Sequence, residues 1–311
     1  MKIAVVGAGA MGSLFAGYLA QKFKEVWVYD IWQEHIATIK NDGLLMTRGN
    51  IKNRVRIKAT TNPDDPGKVD LLIIFVKYTH TEKALKDSLA MIDSHTSILT
   101  LQNGIGNVDI IQKFIPDNQI LYGLTTLTSE MVGPGHIEES FHGQGETYFW
   151  PVKGRVDGQA EQICSVFNRA DIHTEISPDV QVMVWKKLIV NACYNTLSAI
   201  VRLKVGDLID QTEIWPVLEG AISEIVDVAQ KKGISIDESE GQRFLKQVGE
   251  EAREHIPSML IDVKNKKKTE IECLNGRIIK EGTALGIPTP YNRVLFGILR
   301  VLENTYEKRV D

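Results

Sequence analysis

A β-type run at residues 2–6 leads directly into Gly7-Ala8-Gly9-Ala10-Met11-Gly12 and then into a helix-like segment at residues 13–20. This strand, glycine turn and helix restrict the start of the chain to a parallel α/β unit. Gly7 permits the tight turn, Gly9 lets the backbone approach a pyrophosphate, and Gly12 lets the helix pack close to the strand. The helix N-terminus supplies amide donors for an anion. A second strand, Val26-Trp27-Val28-Tyr29, ends in Asp30, at the distance where a ribose-binding carboxylate is expected. Gly7, Ala8, Gly9, Ala10, Met11, Gly12 and Asp30 are therefore the candidate dinucleotide contacts. The competing reading is a tight turn that holds no ligand.

With 311 residues the chain is long enough for two cored domains. A formal net charge of −4 gives no basic surface for nucleic acid, and the run Lys264-Asn265-Lys266-Lys267-Lys268 reads as a solvated helix face. Three cysteines without CxxC spacing imply neither a disulfide framework nor a zinc site, and the seven scattered histidines give no metal motif. No apolar run reaches membrane-spanning length, and the opening run is too short for a signal peptide, so a cytoplasmic location is expected.

Residues 69–76 and 97–101 are apolar runs of the buried parallel-strand type. Lys77 follows the first, and Gln102-Asn103-Gly104-Ile105-Gly106 follows the second. Ligands of open α/β sheets lie at strand carboxyl ends, so Lys77 and Asn103 are candidate contacts. An exposed loop lysine and a left-handed turn residue are the alternatives. Residues 55–59 are expected to form a hairpin with 44–47, and residues 120–150 an antiparallel meander added to the sheet. Ser177-Pro178-Asp179 reads as a helix N-cap with proline in the first turn. The remainder looks helical, which places a mixed α/β domain at 1–176 and a helical domain at 177–311.

The second domain opens on a patterned helix. Lys187, Asn191 and Asn195 recur at a four-residue step within a largely apolar run, and Ser198 extends the stripe. Buried amide and ammonium groups need partners, and a bound polar molecule is one. Local backbone bonding and a snorkelling lysine are the other. Ser258 reads as an N-cap or a polar contact. Glu270 shares a helical spacing with Leu274 and Ile278, giving either a surface acid or a partly buried one facing Lys187.

Taken in order, Gly7 to Gly12, Lys77, Gln102-Asn103-Gly104, Lys187-Leu-Ile-Val-Asn191-Ala-Cys-Tyr-Asn195, Ser258-Met-Leu and Thr269-Glu270-Ile271 with Asn275-Gly276 resemble the ketopantoate reductase family across nearly the whole chain. The resemblance implies a Rossmann-type dinucleotide-binding domain followed by an all-helical domain, with an active site in the cleft between them. It also implies an NADP or NAD cofactor and a role in pantothenate synthesis. By position it makes Lys187 the acid that protonates the substrate carbonyl and Glu270 the acid beside it. Asn103, Asn191, Asn195 and Ser258 would hold a 2-oxo acid, and Lys77 would lie near the nicotinamide.

Three departures stand out. Ile31 follows Asp30 where many members carry an arginine for the 2′-phosphate of NADP, so NAD is the expected preference. Thr196 replaces a usual proline, and Val205 stands about where some relatives carry a further substrate-binding asparagine. The expected function is reduction of ketopantoate. The alternatives are an NAD-dependent D-2-hydroxy acid dehydrogenase for another branched 2-oxo acid, and a dinucleotide-binding regulator without turnover. The expected partner is a small 2-oxo acid, with no nucleic acid, membrane or metal, and a homodimer is left open.

Overall fold

The computed structural model describes residues 1–140 and 144–308, and its chain divides into two compact units. Residues 1–102 and 107–180 form the first unit. The loop Asn103–Gly106 clusters with the chain from Gln181 onward to form the second.

In the first unit the glycine motif lies between β1 (Ile3–Val6) and α1 (Ala10–Lys22), followed by β2 (Val26–Tyr29) and α2 (Gln33–Asp42). The chain continues through β3 (Leu44–Arg48), β4 (Ile51–Val55), β5 (Lys58–Thr60), β6 (Leu71–Ile74), α3 (Thr81–Asp87), β7 (Ser97–Thr100), α4 (Asn107–Ile111) and β8 (Ile120–Thr125). Then come β9 (Ser129–Gly133), β10 (His136–Glu139), β11 (Thr147–Pro151), α5 (Gly158–Arg169) and β12 (Thr174–Ile176). Eight strands form one sheet in the order β12-β11-β8-β7-β6-β1-β2-β5, with parallel pairing from β8 to β5. Successive residues of its central strands bury opposite ways. Ile3, Val5, Leu71 and Ile73 pack with Phe15 and Phe167, while Ala4, Val6, Leu72 and Ile74 pack with Leu85 and Met91. A sheet covered on both faces needs strands that are apolar throughout, which is why these runs show no alternation.

Two expectations are corrected. The strand after β3 is Ile51–Val55, pairing Leu44 with Val55, while residues 58–60 join the main sheet beside β2. An apolar residue count alone could not choose between two short strands separated by two residues. The 120–150 region splits as well: β8 and β11 extend the main sheet, while β9 and β10 join β3 and β4 in a separate four-stranded sheet.

The second unit contains α6 (Val180–Val190), α7 (Thr196–Val201), α8 (Val205–Ile209), α9 (Trp215–Lys231), α10 (Glu238–Glu251), α11 (Ser258–Lys264), α12 (Asn275–Leu285) and α13 (Pro290–Asn304). Helix α6 begins two residues beyond Pro178, and the Ser177 hydroxyl accepts the Asp179 N–H at 3.2 Å. Residues 265–268 are an exposed turn after α11, with Lys266 at φ 52°, not a helix face. No helix among the described residues is long and apolar enough to cross a membrane.

Candidate functional site

The glycine turn of the first unit is shaped by close approach. Gly7 has φ +98°, and a β-carbon there would meet Val76 at 2.8 Å; one on Gly12 would lie 1.8 Å from the Gly7 carbonyl oxygen. At Gly9 a β-carbon would meet no atom within 4 Å. That space lies at the start of α1, which has no side-chain cap and no acid in its first turn. An N-terminus left in this form accommodates an anion, so a dinucleotide pyrophosphate fits the residues present.

Asp30 braces this turn. Its Oδ2 accepts the Ala8 N–H at 2.6 Å and its Oδ1 accepts the Trp32 N–H at 2.9 Å. Each oxygen keeps a further lone pair for a ribose hydroxyl. A second brace runs through His35, whose Nδ1 accepts the Gly135 N–H at 2.9 Å. That bond leaves the proton on Nε2, 3.2 Å from the Ser13 hydroxyl, which itself donates to the Ala8 carbonyl at 3.0 Å. Burial pushes the His35 pKa down against the pull of Asp30 and keeps the ring neutral. Lys77 precedes a short 3-10 turn just beyond β6 in this same unit.

The second unit holds a narrow recess lined by Asn103, Asn191, Asn195, Ser258, Met259, Asp262, Glu270 and Leu274. Five of the residues singled out in the sequence meet here. Asn103 donates to Glu270 Oε2 at 3.3 Å, and Asn195 donates to Asn191 Oδ1 at 3.2 Å. Lys187 is partly buried. Desolvation lowers its pKa to about 8, against the opposing pull of the Glu270 carboxylate. The neighbouring Lys186 turns elsewhere and pairs with Glu240 at 2.6 Å.

The patterned helix is not continuous α-helix. Residues Asn191–Asn195 form a π turn between α6 and α7, and π turns concentrate at functional sites. The wider turn breaks the four-residue stripe. Asn191 and Asn195 line the recess, whereas the Ser198 hydroxyl is buried without a hydrogen-bond partner among the described residues. A polar network secures the turn: Asn275 Nδ2 donates to the Ala192 carbonyl at 3.0 Å and to Asn292 Oδ1 at 3.0 Å, while Thr196 donates to Asn275 Oδ1 at 2.8 Å. Asn292 in turn donates to Glu224 Oε2 at 2.7 Å.

Two local readings are corrected. Ser258 is the first residue of α11, whose cap is Pro257, so its hydroxyl lines the recess without capping the helix. Glu270 precedes a 3-10 turn, Ile271–Cys273, and lies on no helix face shared with Ile278. Asp262 and Met259 were not singled out from the sequence. Asp262 lies four residues beyond Ser258, one helical turn along α11, and that spacing was the available signal.

Comparison with known proteins matches residues 3–154 to the family model described as ketopantoate reductase PanE/ApbA, and residues 179–303 to its C-terminal companion. A 2-dehydropantoate 2-reductase from Archaeoglobus fulgidus is 32% identical over 304 residues, 97% of this chain and 98% of that protein. Among solved structures, a PanE/ApbA family ketopantoate reductase from Ralstonia eutropha JMP134 aligns with TM-score 0.89 and 31% identity, covering 99% of this chain and 100% of the other. A D-mandelate dehydrogenase with NADH and anilino(oxo)acetate aligns with TM-score 0.92 and 30% identity over the same shares of each chain.

Proposed function

The chain belongs to the ketopantoate reductase family, and on that premise we propose that it reduces ketopantoate to (R)-pantoate, with Lys187 as the general acid. It is an NAD(P)-dependent oxidoreductase, and a reduced nicotinamide supplies the hydride. The observation that carries the residue assignment is the recess itself, where three amides, a serine hydroxyl, Asp262 and Glu270 converge and Glu270 acts electrostatically on the desolvated Lys187.

Reduction of a 2-oxo acid builds negative charge on the carbonyl oxygen. The Lys187 ammonium stabilises that charge and delivers the proton that converts the alkoxide to the alcohol. A pKa near 8 suits the task, because the group is mostly protonated at neutral pH yet readily gives its proton up. Glu270 keeps the ammonium form available and accepts a hydrogen bond from Asn103. Asn191, Asn195 and Ser258 supply donors for the substrate carboxylate and hydroxyl.

On the cofactor side, we assign the pyrophosphate to Gly7 through Gly12 at the start of α1 and a ribose to Asp30, with a preference for NAD. The turn at residues 30–34, Asp30-Ile31-Trp32-Gln33-Glu34, carries two acids and no cation to grip a 2′-phosphate. That feature, together with the NADH-bound mandelate dehydrogenase relative, favours a second reading in which another 2-oxo acid is the better substrate. NADH and NADPH oxidation measured against ketopantoate, 2-oxoisovalerate and phenylglyoxylate tests both. The first reading requires ketopantoate to have the highest kcat/KM; a phenylglyoxylate preference selects the second.

A further inference from the structure

Gln102 has no part in the chemistry derived above, yet both polar atoms of its side chain are engaged. It follows β7, where the Thr100 hydroxyl donates to its Oε1 at 3.0 Å. Its Nε2 donates to the Val76 carbonyl at 2.5 Å and to the Thr81 hydroxyl at 2.9 Å. Thr81 is fully buried and donates its own proton to Asn107 Oδ1 at 3.4 Å. Turned over, the amide would set two acceptors, Oε1 and the Val76 carbonyl, against each other, so one orientation is fixed.

The two residues that accept from Nε2 bracket a single segment. Val76 lies just beyond β6 and Thr81 opens α3, and between them residues 77–80 form a turn closed by the His80 N–H on the Lys77 carbonyl at 2.8 Å. Val76 also walls the glycine turn, since a β-carbon on Gly7 would lie 2.8 Å from the Val76 nitrogen. One side chain thus clasps both ends of the turn that begins with Lys77, and holds it against the cradle assigned to the pyrophosphate. We propose that Gln102 is a positioning residue for the cofactor, setting Lys77 at the nicotinamide end of the dinucleotide by clasping residues 77–80. This role rests on the dinucleotide reading above. Hydride transfer is sensitive to such placement, because a shift of about 1 Å at the reacting centre costs on the order of 100-fold in rate.

A double-mutant cycle tests the role, read in kcat/KM for NADH with the best 2-oxo acid of the panel above and in the Kd of ADP-ribose, which lacks the nicotinamide. Gln102→Glu keeps the shape and the acceptor for Thr100 but loses both donors, and Gln102→Leu loses all three bonds. Each is expected to lower kcat/KM at least ~10-fold while the ADP-ribose Kd stays within about twofold, which also reports an intact fold. Combined with Lys77→Ala, either should lower kcat/KM no more than about twofold beyond Lys77→Ala alone. Losses that multiply with Lys77→Ala, a parallel loss of ADP-ribose binding, or an unchanged kcat/KM overturn the role of Gln102. A wild type that turns over none of the oxo acids contradicts the functional reading instead; the cycle is then read in NADH dissociation constants, where the same pattern is required, and a wild type that binds no NADH overturns both.

Discussion

The Asn275 side-chain amide donates to the Ala192 carbonyl at 3.0 Å, inside the π turn that carries Asn191 and Asn195. In an α-helix that carbonyl accepts from the fourth residue along, and the wider turn displaces this donor. Asn275 stands in for it, Asn292 and Thr196 bond the rest of its amide, and Asn292 is held in turn by Glu224. Networks of this kind are satisfied as a whole or not at all. Asn275→Asp keeps the acceptor for Thr196 and removes the donor. Steady-state kinetics should give a KM for the oxo acid raised about tenfold, from a loss near 1.4 kcal/mol, while NADH affinity stays within about twofold. An unchanged KM in a folded variant would contradict this role for the turn.

Reduction consumes the Lys187 proton, so kcat/KM for the oxo acid should be flat below the lysine pKa and fall as pH rises through about 8. Oxidation of the hydroxy acid needs the neutral amine and should rise over the same interval. Glu270→Gln removes the carboxylate that favours the charged lysine, so the falling limb should move to lower pH. Parallel pH profiles in the two directions would contradict the assignment of Lys187 as acid and base.

Lys187 should also weaken the fold at neutral pH. Its folded-state pKa lies below the ordinary lysine value of 10.5, so folding disfavours its protonated form. This destabilisation is fully present below pH 8 and is relieved as pH rises from about 8 towards 10.5. Lys187→Met removes it, and denaturant unfolding at pH 7 should show a gain of ~1–3 kcal/mol that shrinks at alkaline pH. The same variant should lose at least ~100-fold in kcat.

Asp30 offers a test of cofactor choice. Asp30→Ser with Ile31→Arg removes the carboxylate that repels a phosphate and adds a guanidinium that can bind one. The ratio of kcat/KM for NADH to that for NADPH should fall at least ~10-fold. A ratio unmoved by both changes would place discrimination elsewhere.

The doubly wound sheet was legible because β1 and β6 are apolar at every position, β7 has an apolar centre, and the glycine spacing joins a strand to a helix. Asn191 and Asn195 of the recess were legible as a stripe with Lys187, since polar residues at a four-residue step interrupt an otherwise apolar run. The π turn was not, because it adds one residue per turn without altering composition, and so Ser198 was grouped with Asn191 and Asn195. The hairpin of β3 was misplaced for a related reason: residues 51–55 are mostly polar and exposed, with Val55 alone buried, so hydrophobic pattern gave no register. Asp262 escaped notice because a carboxylate near the end of a short helix resembles any solvated residue until Ser258, one turn before it, is known to face inward.

Asp30, His35 and Ser13 have a consequence for how a dinucleotide meets this protein. Residues from α2 and from the β9–β10 connection clamp the backbone around Ala8, so the glycine turn keeps its shape without a guest. Capture is then a docking event onto a rigid cradle, and little ordering entropy opposes it. Calorimetry of the cofactor should accordingly return a heat capacity change attributable to buried surface alone, and loosening the clamp at His35 should appear as an entropic penalty at a position that touches no ligand.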